Sequence, residues 1–234
     1  LSGCGTREFL GFEKKKIKLE GKRISILKAN SDEDQTDNVS TKTIIDIEEK
    51  IINWEQSYNS PTHLSINFKT SSNLKKIKNI VSGAGESGES KIISQPVVIN
   101  DNLFFLDAKG NVFSFDLKKQ KVIWKHNITL ESEKDHNLGG GIAIYEDRVI
   151  INTAYGEIIS LDIMNGTQVW KRSIDIPFRS ASTIFDNKIL SLTISNKLYV
   201  LGADTGEVFW EHEGLVNNTT LIGNPKVAAD QNIV

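Results

Sequence analysis

The sequence of 234 residues has few of the residues that form covalent or metal cross-links. Its one cysteine, Cys4, excludes an internal disulfide, and with four scattered histidines it leaves little for a Cys/His metal cluster. No run approaches the roughly 18–20 apolar residues of a membrane-spanning helix. The net charge of −2, without a basic stripe, gives no reason to expect nucleic acid. We therefore expect a packed apolar core, no metal and no cofactor.

The first 50 residues carry uneven charge. Residues 5–30 are rich in lysine and arginine, whereas residues 31–50 are rich in aspartate and glutamate. Blocks of like charge usually remain solvated. The segment 4–40 is therefore predicted to be a charged tether, followed by a folded part at 41–234.

The folded part contains a repeat of about 40 residues. Three segments, 97–124, 143–170 and 182–210, align without a gap when they are anchored on their tryptophans, Trp124, Trp170 and Trp210. A fourth copy starts near residue 224. The repeats are placed near 93–128, 138–174, 177–214 and 221–234.

Each repeat has the pattern of strands, not of helices. Short β-branched or aromatic runs alternate apolar and polar positions with a period of two. Residues that tolerate positive φ recur at fixed offsets, which indicates tight turns. These turn residues are Gly110, Gly156 and Asn196 at one position and Gly166 and Gly206 at the next. Each unit is predicted to be four antiparallel strands.

A four-stranded unit of this length cannot bury both of its faces, but copies stacked around an axis can. We therefore predict an all-β fold, a β-propeller of four-stranded antiparallel blades. A β-sandwich and a linear array are the alternatives. The chain holds about three complete blades plus parts, and we expect further blades beyond Val234.

Trp54 ends a strand-like run without a complete repeat before it. An N-terminal strand commonly completes the last blade of a propeller and so clasps the ring. Residues 41–58 are therefore predicted to be the outer strand of a blade whose other strands lie beyond Val234.

The ends of two repeats, "LDIMNGTQVW" (161–170) and "LGADTGEVFW" (201–210), resemble the quinoprotein-type (PQQ-like) propeller repeat. In that family the repeat tryptophan stacks between blades, which implies this role for Trp124, Trp170 and Trp210. Trp54 is also expected to be a structural blade tryptophan. The first copy departs from the pattern, because Gln120 stands where glycine is expected. The resemblance covers residues 41–234.

Two subclasses share this repeat. The stretches "NWEQSYNSPTH" (53–63) and "SGAGESGESKIISQPVV" (82–98) resemble the BamB-like lipoproteins of outer-membrane β-barrel assembly. This resemblance implies an eight-bladed, non-enzymatic scaffold that binds the periplasmic domains of the core assembly subunit and nascent outer-membrane proteins. The alternative is a PQQ-dependent dehydrogenase or a periplasmic sensor, although the sequence lacks the vicinal cysteine pair that is frequent in such enzymes.

The first four residues fit a lipobox, the end of a lipoprotein signal peptide. Leu1, Ser2 and Gly3 fill the first three positions of its L-(A/S/T)-(G/A)-C pattern, and Cys4 would receive the lipid and become the mature N-terminus. Residues 1–3 are then a signal-peptide remnant. Gly5 is not the aspartate that resembles an inner-membrane retention signal, which favours the periplasmic face of the outer membrane.

Other patterns are weaker. The motif "GAGESG" (83–88) fits G-x-G-x-x-G, but a strand-like run comes after it instead of a helix, which favours a loop. Ser87 and Glu89 in this loop are candidates for contact with a partner. The acidic stretch 31–38 lacks the glycine and final glutamate of a calcium loop.

Overall fold

A computed structural model describes residues 50–64, 67–70, 83–86, 88, 90–129, 139–215 and 226–231. The chain divides into two compact units, Leu1–Ile44 and Ile45–Val234, and all described residues belong to the second. The predictions for residues 1–40, the lipobox and the charged tether, lie outside the described residues.

The described residues form three four-stranded antiparallel sheets, one for each complete repeat. Blade 1 contains β1 (Val97–Ile99), β2 (Asn102–Leu106), β3 (Asn111–Asp116) and β4 (Lys121–Asn127). Blade 2 contains β5 (Gly141–Tyr145), β6 (Arg148–Asn152), β7 (Glu157–Asp162) and β8 (Gln168–Ser173). Blade 3 contains β9 (Thr183–Phe185), β10 (Lys188–Leu192), β11 (Lys197–Gly202) and β12 (Val208–Glu213).

Strands that are neighbours in sequence are neighbours in each sheet, so the tight turns set the topology. The predicted turn residues have left-handed backbones, with φ of 68° at Gly110, 84° at Gly156 and 60° at Asn196. At the third turn φ is 71° at Gly166 and 66° at Gly206, and Gln120 of blade 1 has a φ of 57°. Glycine adopts this conformation without the Cβ penalty that Gln120 experiences.

The apolar core lies between the blades. One cluster joins blades 1 and 2, with Phe104 and Val112 beside Ile151 and Leu161. A second cluster joins blades 2 and 3. In the third, Ala229 of the fourth copy packs on blade 3. Each blade thus covers a face that its neighbour exposes, and the predicted all-β propeller architecture is confirmed.

The first strand of each blade lies on the inside of this arrangement, where β1 contacts β5 and β5 contacts β9. The last strands, β4, β8 and β12, are at the opposite edge of their sheets and are largely exposed. We refer to these as inner and outer strands.

The segment 53–63, here named the inner strap, crosses the inner strands. Trp54 exchanges both backbone hydrogen bonds with Val98 of β1, with N–O distances of 2.6 and 2.8 Å. The amide of Ile144 on β5 donates to the Glu55 carbonyl at 2.7 Å. Farther along, the amide of Ala229 donates to the Pro61 carbonyl at 2.9 Å.

The prediction that residues 41–58 form an outer strand is therefore wrong for its described part, 50–58. Trp54 lies beside an inner strand and does not take the position of the other tryptophans. The reason is that the backbone groups of this segment pair with inner strands: Trp54 bridges to Val98 of β1, and Glu55 accepts from Ile144 of β5. The tight turn through Ser57–Asn59 then ends the extended run.

Candidate interaction surface

Two repeat tryptophans join neighbouring blades. Trp124 on β4 is 8% exposed and donates its indole Nε1–H to the Ile163 carbonyl of blade 2 at 3.0 Å. Trp170 on β8 donates in the same way to the Ala203 carbonyl of blade 3 at 3.1 Å. A tryptophan buried at an interface usually pairs its N–H in this way.

Each of these rings packs against the third-turn glycine of the next blade. A Cβ at Gly166 would lie 2.6 Å from Cδ2 of Trp124, and one at Gly206 would lie 2.6 Å from Cε3 of Trp170. Glycine is thus required at these positions for two reasons: the backbone is left-handed, and the indole ring occupies the space of a Cβ. We refer to each pair as a tryptophan–glycine junction.

Trp210, the third repeat tryptophan, is 44% exposed on β12. It occupies the same strand position as Trp124 and Trp170, opposite Val200 of β11. A register shift lies beside each of these three tryptophans, so the blades share one local geometry.

The outer strands expose apolar side chains between polar ones. Ile123 is 44% exposed on β4, Val169 is 45% exposed on β8 and Phe209 is 49% exposed on β12. Among the described residues, each of these strands pairs on one side only. A strand edge of this kind has free backbone groups that an extended segment can pair with. The outer strands therefore offer contacts for another chain.

The charge of this outer surface changes from blade to blade. Lysines surround β4, at positions 118, 119, 121 and 125, whereas glutamates surround β12, at positions 207, 211 and 213. Several are paired. Lys118 contacts Asp101 at 2.5 Å, and this hydrogen bond raises the pKa of the lysine. Lys197 contacts Glu211 at 2.7 Å, with the same effect on its pKa. Exposed pairs of this kind contribute little stability, so they shape the surface rather than hold the fold.

The described part of the "GAGESG" loop packs on blade 1 through Asp107. The carboxylate of this buried residue accepts a hydrogen bond from the Ala84 amide at 2.9 Å, and also from the amides of Lys109 and Asn111. Thr153 and Thr193 accept the corresponding turn amides in blades 2 and 3. Asp107 thus differs from its counterparts because it also holds this loop. Ser87 and Glu89 lie outside the described residues.

The described residues contain no group of three or more histidine, cysteine, aspartate or glutamate side chains that could hold a metal ion. His63 lies in the inner strap, His126 on β4 and His212 on β12. Burial lowers the pKa of His126, while a backbone hydrogen bond with Gly166 opposes this change.

An apolar cavity of about 290 Å³ lies between the 84–96 segment and β2, lined mainly by Ile92, Pro96, Leu103 and Phe105.

Within the part of the chain that the structure describes, no helix has the length and apolar character to cross a membrane. The predicted lipidation site, Cys4, and its lipobox residues Leu1, Ser2 and Gly3 fall outside that part.

The four-stranded blades and tryptophan–glycine junctions define a β-propeller of the quinoprotein-like repeat class. Within this class, the family model described as "Outer membrane protein assembly factor BamB" matches residues 108–234, more than half of the chain. The chain therefore belongs to this family.

The similar proteins include an uncharacterized protein and an assembly factor. The uncharacterized protein RP232 of Rickettsia prowazekii is 30% identical over 178 residues, which are 75% of this chain and 41% of that protein. The outer membrane protein assembly factor BamB of Xanthomonas campestris pv. campestris is 26% identical over 113 residues, 47% of this chain and 28% of that protein. The matches thus span less than half of either relative.

Among solved structures, the quinohemoprotein alcohol dehydrogenase ADHIIG from Pseudomonas putida HK5 superimposes with a TM-score of 0.53 at 14% identity. The match covers 69% of this chain and 26% of that one. At this identity the similarity concerns the fold alone.

Proposed function

We propose that this chain is a non-enzymatic scaffold lipoprotein of the outer-membrane β-barrel assembly machinery. It supports folding and insertion of outer-membrane proteins by binding the periplasmic domains of the core barrel subunit, and it contacts nascent outer-membrane proteins. The observation that carries the proposal is the match to the assembly-factor family over residues 108–234.

The geometry of the described residues supports a binding role. Their outer strands present unpaired edges with Ile123, Val169 and Phe209 exposed. Buried polar groups such as Asp107, Asn152 and Thr193 form hydrogen bonds within turns or between blades. A rigid frame with exposed apolar positions on its rim suits protein–protein contact.

The proposal includes a lipid anchor on Cys4 that holds the chain at the periplasmic face of the outer membrane. Acyl chains contribute about 0.8 kcal/mol per buried CH₂, so a cysteine that carries several chains anchors firmly. The test is to replace Cys4 with serine in the precursor with its signal peptide. We expect this variant in the soluble periplasmic fraction, and a variant that stays in the membrane would contradict the anchor.

The binding role is tested by in-cell photo-crosslinking from the outer strands. A photoreactive residue at position 123, 169 or 209 should cross-link to a large outer-membrane barrel protein that mass spectrometry identifies. Position 52 serves as a matched control, because Ile52 is also exposed, at 69%, but precedes the inner strap. The proposal would be contradicted if no outer position cross-linked to that barrel protein. It would also be contradicted if position 52 cross-linked to it equally well.

The alternative is a PQQ-dependent dehydrogenase or a periplasmic sensor, because both share the propeller repeat. We expect the purified protein to show no dye reduction with alcohols after addition of PQQ and Ca²⁺, and no saturable PQQ binding. Activity or tight PQQ binding under these conditions would favour the enzyme.

A further inference from the structure

The far end of the inner strap is held against the start of the fourth copy by a small cluster of side chains. The rings of Tyr58 and His63 lie 4.5 Å apart, centroid to centroid. Lys226 places its Nζ 5.4 Å from the centroid of the Tyr58 ring, a distance at which a cation is attracted to a ring face. The Ala229–Pro61 backbone bond lies beside this cluster. These contacts join 58–63 to 226–231.

The strap is strained at this end. Tyr58, Asn59 and His63 have left-handed backbones, with φ of 61°, 57° and 59°. A left-handed conformation costs a residue other than glycine about 1–2 kcal/mol, so it persists only where surrounding contacts hold it. The contacts to 226–231 hold this conformation together with two turn bonds of the strap itself, from the Asn59 amide to the Gln56 carbonyl and from the His63 amide to the Ser60 carbonyl.

The imidazole of His63 fits its site only when it is neutral. It forms a hydrogen bond with the backbone of Val227. Its Nε2 is buried, and among the described residues it has no hydrogen-bond partner. An unpaired neutral acceptor at this position costs less than a protonated one, because the proton would make the nitrogen a charged, buried donor without an acceptor. The proton would also add a second positive charge near Lys226.

We propose that the inner strap is an acid-sensitive latch, which neutral His63 closes on residues 226–231 and which opens at this end when the imidazole gains a proton. The other end stays attached, because its bonds to β1 and β5 join backbone groups that do not titrate. Opening frees residues 226–231 from the strap.

The pKa directions agree with this geometry. Burial first, and then the charge of Lys226, lower the pKa of His63 below its ordinary value, while the Val227 hydrogen bond partly opposes them. Burial also lowers the pKa of Lys226. The closed latch therefore binds fewer protons than the open one. Closure is fully favoured above the ordinary histidine pKa and weakens as the pH falls toward the lowered pKa of the closed state.

Site-resolved amide exchange tests the latch, with observed rates corrected for the intrinsic effect of pH. The Ala229 amide reports on the far end of the strap, whereas the Val98 and Ile144 amides report on its near end. Between pH 7.5 and pH 5, we expect protection of Ala229 to fall by at most about tenfold per pH unit, the limit for one coupled proton. Protection of Val98 and Ile144 should stay constant.

Variants assign the effect to His63. His63→Gln cannot gain a proton and should abolish the pH response of Ala229. Lys226→Met should weaken the pH dependence of Ala229 protection, because it reduces the difference between the pKa of His63 in the closed latch and its pKa in the open latch. His126→Gln is the matched control, since His126 also has a lowered pKa but lies on β4, and it should leave the response unchanged.

The proposal would be overturned if the protection of the Ala229 amide in the wild-type protein did not depend on pH. It would also be overturned if both His63→Gln and Lys226→Met left this pH dependence unchanged. If His63→Gln does not fold, the wild-type titration and Lys226→Met still decide the outcome. Equal loss of protection at Ala229, Val98 and Ile144 would also overturn it, because it would indicate general unfolding.

Discussion

The tryptophan–glycine junctions and the inner strap both connect one blade with the next, but they do so with different chemistry. The junctions use apolar contact, and each adds an indole hydrogen bond to a backbone carbonyl. The strap uses one or two hydrogen bonds to each inner strand that it crosses, and contacts between polar side chains at its far end. In the part of the chain that the structure describes, the junction occurs twice and the strap once.

This difference in chemistry implies that the junctions and the strap have different roles, one in stability and the other in the response to pH. Buried apolar area removed from water stabilises by about 25 cal/mol per Å², and it does not change with protonation. Exposed or half-buried backbone bonds contribute about 0.5–1.5 kcal/mol each, and a nearby titrating group can outweigh them. We therefore expect the junctions to hold the propeller together and the strap to respond to conditions.

Removal of a junction tryptophan should have the largest effect on stability. Trp124→Ala should lower the free energy of unfolding by about 3–5 kcal/mol, because it leaves a large cavity between blades 1 and 2. Urea denaturation followed by circular dichroism measures the loss. Val169→Ala is the control, since Val169 is 45% exposed on β8 with described blades on both sides of its own, and it should cost less than half as much. Equal losses would contradict the view that the junction tryptophan supplies the stability.

A side chain on a junction glycine should have the next largest effect. Gly206→Val should cost about 2–4 kcal/mol, because the residue would have both a left-handed backbone and a Cβ in contact with Trp170. Gly85→Val is matched to it, because a Cβ at exposed Gly85 would meet nothing within 4 Å. The prediction fails if the two variants unfold at the same urea concentration.

The strap should show a smaller effect when its contact with blade 3 is removed. Gln56 donates its side-chain amide to the Ile184 carbonyl and accepts from the Ile184 amide, at 3.1 and 2.9 Å. Gln56→Leu leaves both backbone groups without this partner and should cost about 1–3 kcal/mol. The same change at Gln168, which is exposed on β8, should be nearly neutral in thermal unfolding. A neutral Gln56→Leu would show that the strap adds no stability at this point.

The smallest expected effect is a gain. Gln120 has a φ of 57° at the turn where blades 2 and 3 have glycine. Gln120→Gly should stabilise the protein by about 0.5 kcal/mol, because relief of backbone strain slightly exceeds the added entropy of the unfolded chain. Lys119→Gly on the same turn should destabilise it, since its backbone is not left-handed. Calorimetric melting temperatures distinguish the two.

Most of the fold could be predicted because the repeat presents the same information three times. Turn glycines, strands of period two and one tryptophan per unit recur at fixed offsets, so accidental matches are excluded. Within each blade, the sheet order results from the tight turns between consecutive strands. Trp54 lacks this repeated context, because it has an apolar run before it but no repeat around it, and its position was predicted wrongly.

The strap could not be predicted because its contacts depend on distant strands. The bond between Gln56 and Ile184 joins residues 128 positions apart, and no local pattern signals it. The clues in the sequence were the turn residues from Ser57 to Pro61, which argue against a continuous outer strand. The role of Asp107 was equally hidden, because the sequence does not show that the Ala84 loop returns to it.

The contacts of Trp124 with Gly166 imply that a junction tryptophan and the glycine of the next blade act as one unit. A double-mutant cycle of Trp124→Ala and Gly166→Ala tests it by urea denaturation. We predict a coupling free energy of at least about 1 kcal/mol, because the alanine methyl group collides with the indole only while the indole is present. Effects that add to within about 0.5 kcal/mol would contradict the claim.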